Sequence, residues 1–195
     1  MDRKRVAVLI SGRGSNMAAL IAAAKNPAYP AKIVLVLSNV PDAGGLQTAK
    51  AAGIETAVID HKQFGKDRAA FEDAMQGALE RHKIEIVCLA GFMRILTADF
   101  VARWYGKMLN IHPALLPAFK GLDTHKRALE AKVKQHGATV HFVAPEMDSG
   151  PIILQGAVEV RPDDTEAILA ARVLAVEHRI YPEALKMLAE GRCPL

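Results

Sequence analysis

The sequence predicts an α/β fold: one domain, a doubly wound and mostly parallel sheet, with a Rossmann-like N-terminal half. Short β-rich apolar runs alternate with helix-like segments through the first 90 residues, the pattern of parallel strands covered by helices on both faces. The chain has 195 residues, 51% of them apolar, enough for one sizeable core and short for two.

The first strand is expected at residues 5–11 (RVAVLIS), followed by a Gly-rich turn and a helix at 16–25. Strands at 33–39 (IVLVLSN), 55–59 and 84–89 (IEIVCL) then alternate with helices at 45–52 and 67–82. In the last of these helices Phe71, Met75 and Ala78 recur at helical spacing, and Asp67 is suited to cap its start. Repeated strand–helix–strand units imply right-handed crossovers, hence the double winding.

Past Gly91 the texture changes. A helix at 97–105 and a strand at 107–111 lead into the Pro-rich loop HPALLPAFKG, then a helix at 124–134. Strands at 138–143 and 151–160 flank APEMDSG, and a long helix at 164–190 closes the chain. Pro182 is expected to kink or split that helix, because proline removes a helical hydrogen bond and clashes with the preceding turn. No repeat, linker or low-complexity segment interrupts this order.

Lys and Arg total 25 against 21 Asp and Glu, a net charge of +4, which suits anionic ligands such as phosphates or polyglutamate tails. The basic residues are interleaved with acids and aromatics are few, so the stacking platforms of nucleic-acid binders are missing. A membrane partner is equally disfavoured, since no stretch approaches roughly 20 apolar residues. The basic start MDRKR and the short run after it fall below the roughly 7 to 15 apolar residues of a signal peptide. Only Cys88 and Cys193 are present, too few for a disulfide framework, so a cytoplasmic location is expected. Charge and composition fit a monomer or a homodimer alike.

Three motifs carry possible chemistry. The first is Ser11-Gly12-Arg13-Gly14-Ser15-Asn16, between a strand and a helix. Glycines permit a tight turn there, and the N–H groups and positive dipole end of the helix can hold a phosphate. A turn in which Ser15 or Asn16 merely caps the helix fits as well. The spacing matches neither a dinucleotide fingerprint nor a Walker loop.

The second is Asn110-Ile111-His112-Pro113 at the end of a predicted strand. Two-residue spacing puts Asn110 and His112 on one face, an amide donor beside an imidazole. Such a pair can stabilise the oxyanion of acyl-type transfer or move a proton, and open α/β sheets bind ligands beyond their strand C-termini. A structural histidine is the alternative. The third is Met147-Asp148-Ser149-Gly150-Pro151, a carboxylate in a tight turn. It either bonds its own backbone as an Asx-turn or, if the loops converge, orients His112. No His or Cys spacing matches a zinc motif, so no metal is expected; His125, His136, His141 and His178 read as structural.

ISGRGSN, LAGFMRIL at 89–96, LNIHPALLPAFKG at 109–121, HGATVHFV at 136–143 and DSGPIILQ at 148–155 follow one another as in the phosphoribosylglycinamide formyltransferases, which the chain resembles over essentially its whole length. The resemblance implies transfer of a formyl group from 10-formyltetrahydrofolate to the amine of glycinamide ribonucleotide in purine biosynthesis. It implies a catalytic triad of Asn110, His112 and Asp148, with Asp148 holding His112 protonated. It puts Gly14, Ser15 and Asn16 on the ribonucleotide and its phosphate, Glu177 on the ribose hydroxyls, and Lys120 as a further phosphate contact. For the folate it implies the backbone of Met93, Arg94, Ile95 and Leu96, a pocket lined by Leu89, Val101 and the 144–148 loop with Asn110 and Asp148, and Arg68 facing the glutamate tail. Residues 1–100 would form the ribonucleotide-binding half and 101–195 the catalytic and folate-binding half. Leu174, one turn before Glu177, departs from relatives that carry a polar residue there.

LNIHPALLP with the Asp-x-Gly-Pro turn is shared with methionyl-tRNA formyltransferase and formyltetrahydrofolate hydrolase. The former is expected to need a C-terminal RNA-binding domain and the latter an N-terminal regulatory one. A non-catalytic nucleotide-binding module using only the 11–16 loop is the alternative from another class.

Overall fold

A computed structural model describes residues 2–193. Seven strands form one sheet: β1 (Lys4–Ile10), β2 (Ala31–Ser38), β3 (Glu55–Val58), β4 (Ile86–Leu89), β5 (Met108–His112), β6 (Gln135–Phe142) and β7 (Ile152–Glu159). Their spatial order is β3-β2-β1-β4-β5-β6-β7. The first five pair in parallel, and β6 and β7 add antiparallel at the edge beyond β5. This is the doubly wound, mostly parallel sheet expected from the sequence.

Alternate residues of each central strand are buried on opposite faces, which is why these strands read as unbroken apolar runs. On one face Val6, Val8, Ile10, Cys88, Leu109 and Ile111 pack against α1 (Ser15–Ala24), α2 (Gly45–Ala51) and α6 (Glu166–Ala189). On the other, Ala7, Leu9, Val87, Leu89 and Met108 meet α3 (Arg68–Arg81) and α4 (Ala98–Arg103) through Phe71, Met75, Leu79 and Phe100. Each such large-to-alanine change costs roughly 2 to 5 kcal/mol. Trp104, just past α4, closes the lower end of this second face: its indole N–H donates to Gln76 Oε1 at 2.9 Å. It borders a cavity of about 560 Å³ with Lys4 and Glu85, at the start of β1 and opposite the edge where Ser11 lies.

Asp67 caps α3 by accepting from the Ala70 N–H, as its position in the sequence suggests. Four helices end on a residue of positive φ with the paired backbone bonds of a Schellman motif. Gly53 and Gly191 serve α2 and α6, but Lys83 and Lys132 serve α3 and α5 (Thr124–Glu130), at φ 51° and 52°. The last case corrects the expected helix to 134: Lys132 and Val133 donate back to Leu129 and Ala128, which ends α5 and frees β6 to begin at Gln135 rather than 138. Ile84 likewise belongs to the α3 terminus, so β4 starts at Ile86.

Helix α6 is not split at Pro182. Leu169, Val173, Ile180, Tyr181, Ala184 and Leu185 are all buried along it, and this packing outweighs one lost backbone bond. The Tyr29 hydroxyl donates to the Pro182 carbonyl at 2.6 Å, and the Tyr181 hydroxyl donates to Leu89 O at 2.8 Å. The second contact seats α6 against the middle of the sheet.

Candidate active site

Asn110 and His112 leave β5 on the same face, the one on which Met108 meets the α3 side. Antiparallel pairing then sets His141 opposite Asn110 and Thr139 opposite His112. Thr139 fixes the loop that follows β5: its hydroxyl donates to Ala114 O at 2.7 Å and accepts from Leu116 N–H at 3.0 Å. Gln155 of β7 adds a bond to Leu116 O at 2.8 Å. The Pro-rich loop is thereby held over the strand ends.

Asp148 sits at φ 51°, and its carboxylate turns away from its own turn. Oδ2 accepts from the Gly121 N–H at 2.9 Å and lies 3.5 Å from His112 Nδ1. The Asx-turn alternative is therefore not what forms. The other ring nitrogen, Nε2, donates to Phe119 O at 2.8 Å. The carboxylate thus faces one nitrogen of the ring and the Phe119 carbonyl the other. His112 is 5% exposed, so electrostatic interactions with the ring act in a medium where they are stronger than in water.

His141, read from sequence as structural, belongs to the site. Its Nδ1–H donates to Phe142 O at 2.8 Å, which leaves Nε2 to accept from Asn110 Nδ2 at 3.3 Å. Burial pushes this imidazole below its ordinary value, against the Phe142 carbonyl and Asp148, which pull it up. The same Nε2 lies 3.8 Å from Asp148 Oδ1, so His141 stands between the Asn110 amide and the carboxylate. The signal that could have found it was register: the sequence places Asn110 and His141 on separate strands, and only their pairing brings them together.

The 11–16 loop joins β1 to α1 with Gly14 in the left-handed region at φ 70°, and neither Ser15 nor Asn16 caps the helix. The first N–H groups of α1 are thus free of side-chain partners, the arrangement that receives an anion. Gly12, Arg13, Gly14, Ser15 and Asn16 line a cavity of about 180 Å³ with Ala90 and Gly91. Asn16 is 9% exposed and its Oδ1 has no hydrogen-bond partner. Glu177, buried on α6, adjoins it. Burial pushes its carboxyl up to about 7, opposed by a hydrogen bond from Asn16.

A family model described as Formyl transferase matches residues 4–185. The chain belongs to the formyl transferase family. Over 193 residues it is 53% identical to the trifunctional purine biosynthetic protein adenosine-3 of Homo sapiens, a match covering 99% of this chain and 19% of that protein. It thus spans about a fifth of the length of such relatives. It is 44% identical over 187 residues to phosphoribosylglycinamide formyltransferase of Escherichia coli (strain K12), covering 96% and 88% of the two chains. The crystal structure of phosphoribosylglycinamide formyltransferase from Brucella melitensis shares its fold with a TM-score of 0.93 at 52% identity, over 99% of each chain.

In this member of the family the 91–97 loop borders the second face of the sheet. Met93 and Ile95 expose 64% and 69% of their surface, Arg94 is half-buried, and Leu96 is buried. Helix α3 grips the loop twice: Arg68 donates to Ile95 O, and the buried Glu72 accepts from both the N–H and the hydroxyl of Thr97. Leu89 and Val101 lie in the core beneath it. Lys120 is not among the residues lining the 12–16 cavity; its ammonium faces Glu146 at 3.6 Å. Leu174 is half-buried, one turn before Glu177.

Proposed function

We propose that this chain transfers the formyl group of 10-formyltetrahydrofolate to the amine of 5′-phosphoribosylglycinamide, giving the N-formyl product and tetrahydrofolate, a step of purine biosynthesis. The observation that carries this reading is the approach of Asp148 to His112 beside Asn110, at the same sheet edge as the uncapped start of α1. Acyl-type transfer needs a positioned cation and an amide donor next to the site that holds the amine's anchor.

The ribonucleotide phosphate sits on the N–H groups of Gly14, Ser15 and Asn16, with Lys120 as a second contact once it leaves Glu146. Glu177 meets the ribose hydroxyls; a carboxyl raised to about 7 can accept or donate there near neutrality. The folate ring pairs with the backbone of Met93, Arg94, Ile95 and Leu96 over Leu89, Val101 and the 144–148 loop, and Arg68 faces the glutamate tail. The amine attacks the formyl carbon and an oxyanion develops on its oxygen. Asn110 Nδ2 and His112 Nε2 donate to that oxygen, which takes the position Phe119 O holds on His112. Asp148 stabilises the cationic ring, and the amine proton passes through water to the leaving folate nitrogen. Residues 1–100 act as the half that carries the phosphate loop and 101–195 as the half that carries the catalytic residues, with both halves contributing to each substrate. Its place is the cytoplasm, where its two thiols, Cys88 and Cys193, stay reduced.

The test is turnover of 10-formyltetrahydrofolate with and without glycinamide ribonucleotide. Consumption that requires the amine supports transfer. Equal consumption without it would make the chain a hydrolase, and none with either would leave a nucleotide-binding module.

A further inference from the structure

Ser11 stands between the last residue of β1 and the phosphate loop, and its hydroxyl is committed in both directions. It accepts from the Met93 N–H at 2.8 Å and donates to Asn39 Oδ1 at 2.5 Å. Asn39 is 2% exposed and is held in turn at the edge of β2, its Nδ2 lying 3.1 Å from His61 Nδ1. The string therefore runs one way, Met93 to Ser11 to Asn39, and each member polarises the next.

Its placement is what matters. The other side-chain ties of the 91–97 loop, from Arg68 and Glu72, fasten it to α3. Among the described residues, the Ser11 side chain alone fastens it to the phosphate-loop side, where Ala90 and Gly91 already share a cavity wall with residues 12–16. The Met93 side chain is mostly exposed, so packing does little to hold that backbone. One hydroxyl thus joins the start of one binding loop to the head of the other.

We propose that Ser11 is a positioning residue that couples the two substrate sites: a phosphate ordering residues 12–16 also sets the Met93 backbone for the folate, and the reverse. This rests on the assignment of the two loops made under Proposed function. Coupling of binding is reciprocal by thermodynamic necessity, so either ligand can be the reporter.

The experiment is calorimetric titration of tetrahydrofolate, alone and with saturating glycinamide ribonucleotide, into the wild type, Ser11→Ala and Ser11→Thr. The wild type should bind tetrahydrofolate roughly 3- to 10-fold more tightly in the presence of the ribonucleotide, the span one neutral hydrogen bond can supply. Ser11→Ala should bring that ratio close to one, and Ser11→Thr, which keeps the hydroxyl, should restore it. A purely structural role would lower the melting temperature and leave the ratio unchanged. A wild-type ratio near one, or an equal ratio in wild type and Ser11→Ala, overturns the coupling even if formyl transfer is normal. A wild type without formyl transfer overturns the functional assignment instead.

Discussion

Asp148 Oδ2 stands 3.5 Å from His112 Nδ1 while it accepts the Gly121 N–H at 2.9 Å. One carboxylate oxygen therefore serves both the imidazole and the loop that covers it, and the two are positioned together.

From this pairing, His112→Ala and Asp148→Asn should each lower turnover by at least about 100-fold, the lower end for losing a positioned acid, base or oxyanion donor. Both proteins should fold; asparagine tolerates the left-handed backbone of position 148. The double variant should lose far less than the product of the two single effects, since the groups act as a unit. Steady-state kinetics of the three folded variants measures this, and near-normal turnover by His112→Ala would end the mechanism.

Gly14→Val should weaken the ribonucleotide by about tenfold or more, consistent with backbone strain of roughly 1 to 3 kcal/mol at a site that requires positive φ. A Cβ at Gly14 would also stand 3.0 Å from Met17 Cε and 3.3 Å from Gly45 Cα. Folate affinity should change little. Separate titrations of the two ligands check this, and equal losses for both would relocate the site.

Glu177 gives a pH signature. Its folded carboxyl is raised from 4.5 to about 7, so between those values the folded state holds a proton that the unfolded chain has lost. Its stabilising contribution is complete below the unfolded value and fades as pH rises through 7. At 1.36 kcal/mol per unit the fall is on the order of 3 kcal/mol. Buried histidines, His136 lowered to about 4 foremost, add stability as pH rises in both proteins, so the signature is the difference: in urea unfolding from pH 4.5 to 8 the wild type should lose stability relative to Glu177→Gln. The same variant should bind the ribonucleotide more weakly. Parallel pH–stability curves for the two proteins would contradict the assignment.

Lys132→Gly should stabilise the fold by about 1 kcal/mol, because a side chain in the left-handed region costs roughly 1 to 2 kcal/mol and glycine escapes it. Lys132 is exposed and stands at φ 52°. Activity should not change. Thermal unfolding would read the gain, and a lower melting temperature would show that the lysine makes a compensating contact.

The parallel half of the sheet was legible because its strands are buried on both faces, so composition alone marks them. The α5–β6 boundary was not: the stop falls on Lys132, where sequence reading looks for glycine. Pro182 pointed to a kink or a split, and burial along α6 keeps the helix from splitting. Asn110, His112 and Asp148 were legible as chemistry and by resemblance, but His141 and Ser11 were not given roles. The hydrogen-bond partners that define those roles lie 31 residues from His141, and 28 and 82 residues from Ser11. No local pattern encodes such pairings; only the closed sheet does.

Trp104 is the only tryptophan in the chain, and its indole is fixed to Gln76 at the end of the sheet opposite Ser11. The protein therefore carries a natural optical reporter at the sheet end away from the 11–16 loop. Its emission should shift when the α3 and α4 layer comes apart, and its wavelength should hold steady while the ribonucleotide fills the far edge. Fluorescence can then follow folding in the same cuvette in which binding is followed by other means.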